Sequence, residues 1–199
     1  MPPVIPYVAA RSTDKGPRKG ELAVEFTAKG PRLAYKHPRP GDRDSHGNLW
    51  IRMEETTEPG RVLYDSMHPA RQRVCMERLL CQICARPADR DKRGWLFIDW
   101  RREDSPHTWP ERSITSMPPL CTAHVQLSLR QCPFLRHTEH ALLRVRKPHL
   151  YGPSGTLYRL TDQGWLASDT LCSYTKPRHP ALLASRLHRE LRHVTVVTP

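Results

Sequence analysis

The feature that most constrains this chain is a pair of short ligand motifs. LLCQIC places Cys81 and Cys84 three residues apart, and PPLCTAH does the same for Cys121 and His124. A tight turn between two cysteines lets both sulfurs reach one ion, at about 2.3 Å for zinc. On a helix, positions i and i+3 share a face, so Cys121 and His124 can project together from one first turn. The helix N-terminus also favours the thiolate. Together the pairs supply four soft or borderline donors, a closed tetrahedral set that suits one structural zinc ion. A redox C-x-x-C would need a βαβ surround, and none flanks Cys81.

The other cysteines read differently. Cys132 follows Cys121 by eleven residues, about 16 Å along a continuous helix, so it cannot join the same ion. Cys132 and Cys75 read as buried thiols, and Cys172 has no assigned role. CPFLRHTEH offers a second, less favoured site from Cys132, His137 and His140. MPPVIPYVAARSTDKG has no continuous apolar core, and no segment approaches the roughly 20 apolar residues that span a bilayer. The expectation is a cytoplasmic chain with no membrane partner, where six cysteines serve as ligands or thiols rather than disulfides.

With 20 prolines among 199 residues, the chain should break into short elements. Strands are predicted over 22–27 (LAVEFT), 32–36 (RLAYK), 49–53 (LWIRM) and 61–65 (RVLYD). A helix over 68–81 would carry Pro69 at its first position, where the missing N–H costs nothing. Its Val74, Leu79 and Leu80 would face inward and Arg71, Arg73 and Arg78 outward. A strand over 94–100 (GWLFIDW) would return through 114–117 (ITSM), and a helix would follow over 121–132. LLRVR (142–146) and TLYRL (156–160) would form a hairpin across KPHLYGPSG. PALLASRLHRELRHV (180–194) reads as an amphipathic helix, with Leu183, Leu187 and Leu191 recurring every four residues. The expected units are an irregular arm (1–20), a small β module (21–66), a metal core (67–140) and a C-terminal hairpin and helix (141–199).

A knuckle, a hairpin and a helix carrying two ligands in its first turn resemble a treble-clef zinc fold. The resemblance implies an α+β fold: a small treble-clef core flanked by short-stranded β segments and the C-terminal amphipathic helix. PPLCTAH more narrowly resembles the segment that opens the helix of HNH-type endonucleases. That likeness implies a general-base His on the first hairpin strand and a second metal-binding His in the helix. Here FIDWRRED has Trp100 after Asp99, and Val125 follows His124, so Asp99 and His107 are the nearest substitutes. HPARQRVCMERLLCQIC through PPLCTAHVQLSLRQCPFL is also similar to proteins of actinobacteria and their phages, a likeness that implies no activity.

The net charge is +12, carried by 25 arginines and 7 lysines. Guanidinium groups suit phosphate backbones. The clusters flank the cysteines: Arg71, Arg73 and Arg78 before them, then Arg86, Arg90, Lys92 and Arg93, then Arg101 and Arg102. Trp95 and Trp100 sit nearby as stacking surfaces. GC-rich coding also enriches Arg and Pro, so charge alone assigns nothing. The first expectation is a zinc-stabilised, non-catalytic nucleic-acid-binding or regulatory accessory protein, binding DNA or RNA. The alternatives are an HNH-like metal-dependent nuclease and a protein-interaction adaptor of phage or mobile-element origin.

Overall fold

The computed structural model describes residues 4–18, 20–55, 60–132, 135, 137–176 and 179–197. Residues 1–3 and 19 of the expected arm, 56–59 of the β module, 133, 134 and 136 of the metal core, and 177, 178, 198 and 199 of the C-terminal unit lie outside them. The chain is built mainly of strands. β1 (Ala9–Arg11), β2 (Leu22–Thr27), β3 (Gly30–Tyr35), β4 (Leu49–Trp50) and β5 (Val62–Met67) precede helix α1 (Pro69–Arg78). β6 (Arg90–Asp91), β7 (Gly94–Trp100) and β8 (Ile114–Thr115) follow, then a 3-10 turn (Thr122–His124) and α2 (Val125–Gln131). β9 (His140–Thr161), β10 (Gly164–Leu171) and β11 (Leu182–Val197) end the series.

The main sheet has the order β4-β11-β9-β7-β6, with β10 also on β9 and β8 also on β11. It is mixed: β4 runs parallel to β11, and the remaining pairs are antiparallel. β2 and β3 form a separate hairpin and β1 pairs with β5. Among the described residues no helix is long and apolar enough to cross a membrane.

This mostly-β architecture overturns the α+β expectation. Residues 180–194 form no amphipathic helix; they enter β11. Leucines four apart fit a strand as well as a helix, because four is a multiple of two. The residues between them decide. Leu187, Arg189 and Leu191 are buried, while His188 and Glu190 are partly exposed, a period of two. Arg189, which an amphipathic helix with its apolar face on Leu183, Leu187 and Leu191 would leave on another face, is buried: its guanidinium donates to the Met76 and Glu77 carbonyls ending α1 and to the Pro148 carbonyl.

The expected hairpin of 142–146 with 156–160 is also absent. Both segments belong to the single strand β9, which pairs with β11 from Leu142 to Leu157 and with β10 beyond. KPHLYGPSG runs through as strand, with register shifts that absorb its irregularity. Gly152 is required there, since a Cβ would lie 2.0 Å from the Cys172 carbonyl oxygen. Nor do 94–100 and 114–117 pair. β7 pairs with β6 and β9, and β8 pairs with β11. The knuckle, hairpin and helix of a treble clef are therefore not the frame of this chain.

α1 begins at Pro69 as expected, but its buried side chains are Pro69, Gln72, Cys75 and Met76, not Val74. Gln72 acts as a piece of backbone. Its amide donates to the Ser116 and Leu187 carbonyls at 2.7 and 2.8 Å and accepts from the Leu187 N–H at 3.0 Å. Leu79 closes α1 in the left-handed conformation, φ 53°, and turns the chain into the cysteine segment.

β7 is buried on both faces, as its near-continuous apolar run requires. Leu96 and Ile98 join a core with Cys81, Ile83, Leu120 and Val125. Phe97, pointing the other way, joins Leu143, Val145 and Leu191, with Leu79 packed beside them. The sheet thus separates the metal-side core from the α1-side core.

Candidate metal centre

Two turns build the site. After Leu79, the Cys81 N–H donates to the Arg86 carbonyl at 2.7 Å and the Ala85 N–H to the Cys81 carbonyl at 2.9 Å. Ala85 takes a left-handed φ of 57°. This loop turns both sulfurs to one side. On the second segment, the His124 N–H donates to the Cys121 carbonyl at 3.0 Å, closing the 3-10 turn that opens α2. Backbone bonds dock the turns on each other: Gln82 N–H to Pro119 carbonyl, 3.0 Å, and Asp89 N–H to Leu120 carbonyl, 2.9 Å. The Leu120 N–H then reaches the Leu96 carbonyl of β7 at 2.8 Å.

The four expected ligands meet. The Cys81, Cys84 and Cys121 sulfurs and one His124 ring nitrogen all lie within 4.8 Å of one another. Cys84 Sγ and Cys121 Sγ are 4.0 Å apart, and Cys81 Sγ is 3.6 Å from His124 Nδ1. A tetrahedral ion with sulfurs at about 2.3 Å sets an S···S edge of about 3.8 Å, so these separations fit. Cys121 Sγ and His124 Nδ1 stand closer, at 2.9 Å, as hydrogen-bond partners. The set can hold a metal ion.

The thiol electrostatics suit a cation. Burial, then the Cys81 and Cys84 sulfurs, pushes the Cys121 thiol up to about 12. Burial also opposes the Cys84 thiolate, but the Arg86 backbone N–H and guanidinium outweigh it and hold this thiol below its ordinary value. A bound metal would supply the positive charge that three crowded sulfurs need. Cys75 is not a ligand. Burial pushes it up to about 12, and its thiol faces the Cys81 carbonyl at 3.9 Å. Among the described residues no other group of three or more His, Cys, Asp or Glu gathers this way, so Cys132, His137 and His140 form no second set.

The N-terminal segment supports the knuckle, which no sequence pattern signalled. The Tyr7 N–H donates to the Ile83 carbonyl at 3.0 Å and the Val8 N–H to the Gln82 carbonyl at 3.1 Å.

The basic candidates divide into two groups. Arg71 is committed internally, bonding the Tyr7 carbonyl at 3.0 Å and pairing with Asp14 and Glu55. Arg73 pairs with Glu77 and covers the Trp50 ring at 4.8 Å. Arg102 bonds Asp99 at 3.0 Å and stacks on Trp100 at 4.2 Å. Arg78, Arg86, Arg90, Lys92, Arg93 and Arg101 are exposed. Of these, Arg90 lies 4.1 Å over Trp95, Arg93 pairs with Asp91 and Arg101 approaches Glu139.

Asp99 and His107 are not brought together as a base. Asp99 is fully buried and accepts from Thr115 Oγ1 at 3.0 Å, Arg102 at 3.0 Å and Trp109 Nε1 at 3.4 Å. His107 is exposed on the following loop. Comparison with protein-family models, curated proteins and solved structures returns no match.

Proposed function

We propose that this chain is a zinc-stabilised, non-catalytic nucleic-acid-binding accessory protein. One observation carries the reading. A four-ligand Cys3His set sits beside an exposed row of cations, Arg86, Arg90, Lys92 and Arg93, on the loop and β6–β7 turn that leave the knuckle. Zinc suits three sulfurs and an imidazole, and four protein ligands leave no open position for water or substrate. The ion is then structural, and the cations beside it meet phosphate oxygens on a rigid turn.

The test is elemental analysis together with DNA and RNA affinity across salt. One zinc per chain is expected. If Arg90, Lys92 and Arg93 each neutralise a phosphate, log K falls against log salt with a slope near −3. Serine at all three positions removes that slope. Affinity indifferent to salt, or a triple variant that binds as well as the parent, refutes the reading.

A further inference from the structure

A cavity of about 270 Å³ shares its walls with the metal centre. Gln82 and Ile83 of the knuckle, Ile98 and Trp100 of β7, and Leu127 and Ser128 of α2 line it. The apolar walls alone would admit any hydrocarbon. Three neutral polar side chains narrow the choice. Ser128 is buried and its hydroxyl has no hydrogen-bond partner. Gln82, also buried, and Gln131 line the same space, and neither side chain forms a hydrogen bond among the described residues. A hydrocarbon tail would leave all three unpaired against it, at a cost for each. A flat ring with apolar faces and a hydrogen-bonding edge would satisfy them.

The charged lining defines the other end of the ligand. Arg186 is exposed, lines the cavity and forms no ion pair among the described residues. Arg102 and Ser116 line this cavity and also a second one of about 350 Å³, where Arg112 and His188 stand. Asp65 and Asp104 are the carboxylates of the two linings. Arg102 is already paired with buried Asp99 at 3.0 Å, so Arg112 and Arg186 are the two guanidiniums of the linings that form no ion pair among the described residues.

We propose that the two adjacent cavities, which share Arg102 and Ser116, together hold one nucleoside phosphate unit. The base enters the apolar chamber, where Gln82, Ser128 and Gln131 read its edge, and the phosphate meets Arg112 and Arg186, with Arg102 held between the two cavities by Asp99. The unit is a free nucleotide or a base turned out of a strand; the strand form rests on the nucleic-acid reading above. Binding uses walls that the metal turns position, so it requires the metal-loaded chain.

The full zinc-loaded chain is titrated calorimetrically with AMP, CMP, GMP, UMP, ribose 5-phosphate and decanoate. Saturable one-to-one binding of at least one nucleotide is expected, with ribose 5-phosphate at least about tenfold weaker. Arg186→Ala, an exposed change, should weaken nucleotide binding about tenfold, and Ser128→Leu should fill the chamber and abolish it. No nucleotide binding, equal binding of ribose 5-phosphate, or preference for decanoate overturns the proposal. Oligonucleotide binding without mononucleotide binding also overturns it, leaving the surface reading intact. Mononucleotide binding that survives serine at Arg90, Lys92 and Arg93 supports the cavity independently of that surface.

Discussion

Replacing Gln72 by leucine tests the junction on which the sheet depends. The substitution keeps the size of the side chain but strands three polar groups: the Ser116 carbonyl, the Leu187 carbonyl and the Leu187 N–H. The residue is fully buried, so water cannot replace the amide without opening the junction. An unsatisfied buried donor or acceptor costs about 1–3 kcal/mol, and leucine recovers part of this through its apolar surface. The expected net loss is about 3–5 kcal/mol, a large share of a total stability of about 5–15 kcal/mol. With a urea m-value near 2 kcal/mol/M, the midpoint should fall by about 2 M at unchanged m. Arg73→Ala on the same helix, losing the pair with Glu77 and the cation–π contact with Trp50, should cost under about 2 kcal/mol. The experiment also separates strand from helix at 180–194. In a helix, Leu187 would bond its own backbone neighbours and Gln72→Leu would cost little. A midpoint shift under about 0.5 M refutes both the bonding and the strand.

Three further outcomes follow from named contacts. Chelation of the metal, or Cys121→Ser, should strip hydrogen-exchange protection from the Gln82, Asp89 and Leu120 amides while the Leu187 amide stays protected; unchanged protection at Leu120 removes the ion from the structure. Burial, then the Arg186 and Arg102 charges, pushes His188 down to about 4 from 6.5. The unfolded chain therefore binds a proton between pH 6.5 and pH 4 that the folded chain refuses, so stability is present above 6.5 and about 3 kcal/mol is lost by pH 4. His188→Gln should flatten that part of a urea-midpoint profile, and parallel profiles would contradict it. Gly94→Ala puts a Cβ 2.1 Å from the Val145 carbonyl oxygen at φ +116°, and should cost at least about 2–3 kcal/mol by thermal unfolding; a neutral result would mean the β7–β9 edge is displaced.

The ligand set was legible because thiol and imidazole donors at these spacings have few other uses, and Cys81, Cys84, Cys121 and His124 do converge. β2 and β7 match their expected bounds because apolar, β-rich runs between breakers have few alternatives. The C-terminal third is illegible locally for an equally physical reason. Its alternation is carried by Arg189, a residue whose burial depends on carbonyls 113 positions away in Met76. Gln72 has the same property, with its Leu187 partner 115 positions away. Polar residues that complete another element's backbone look like surface in any local window, and no periodicity marks them. KPHLYGPSG failed similarly: Pro and Gly signal turns locally, yet register shifts against β11 absorb them inside β9.

The Cys3His set stands where the chain is least able to hold itself. β9 and β11 pair over most of their length and bury Leu143, Val145, Leu187 and Leu191. Residues 81–89 and 116–124 have no such ladder; a few backbone bonds, such as Gln82 to Pro119 and Asp89 to Leu120, join them. Fixing so many irregular residues costs about 1–2 kcal/mol each in backbone entropy, more than those bonds return. Four ligands on one bound ion would narrow that gap. They would also fix Gln82–Ile83 against Leu127–Ser128 across the cavity. Loss of the ion should therefore disable the proposed nucleotide binding before it unfolds the sheet, because Gln82, Ile83, Leu127 and Ser128 of the cavity wall lie on or next to the metal-held segments, whereas the β9–β11 ladder does not.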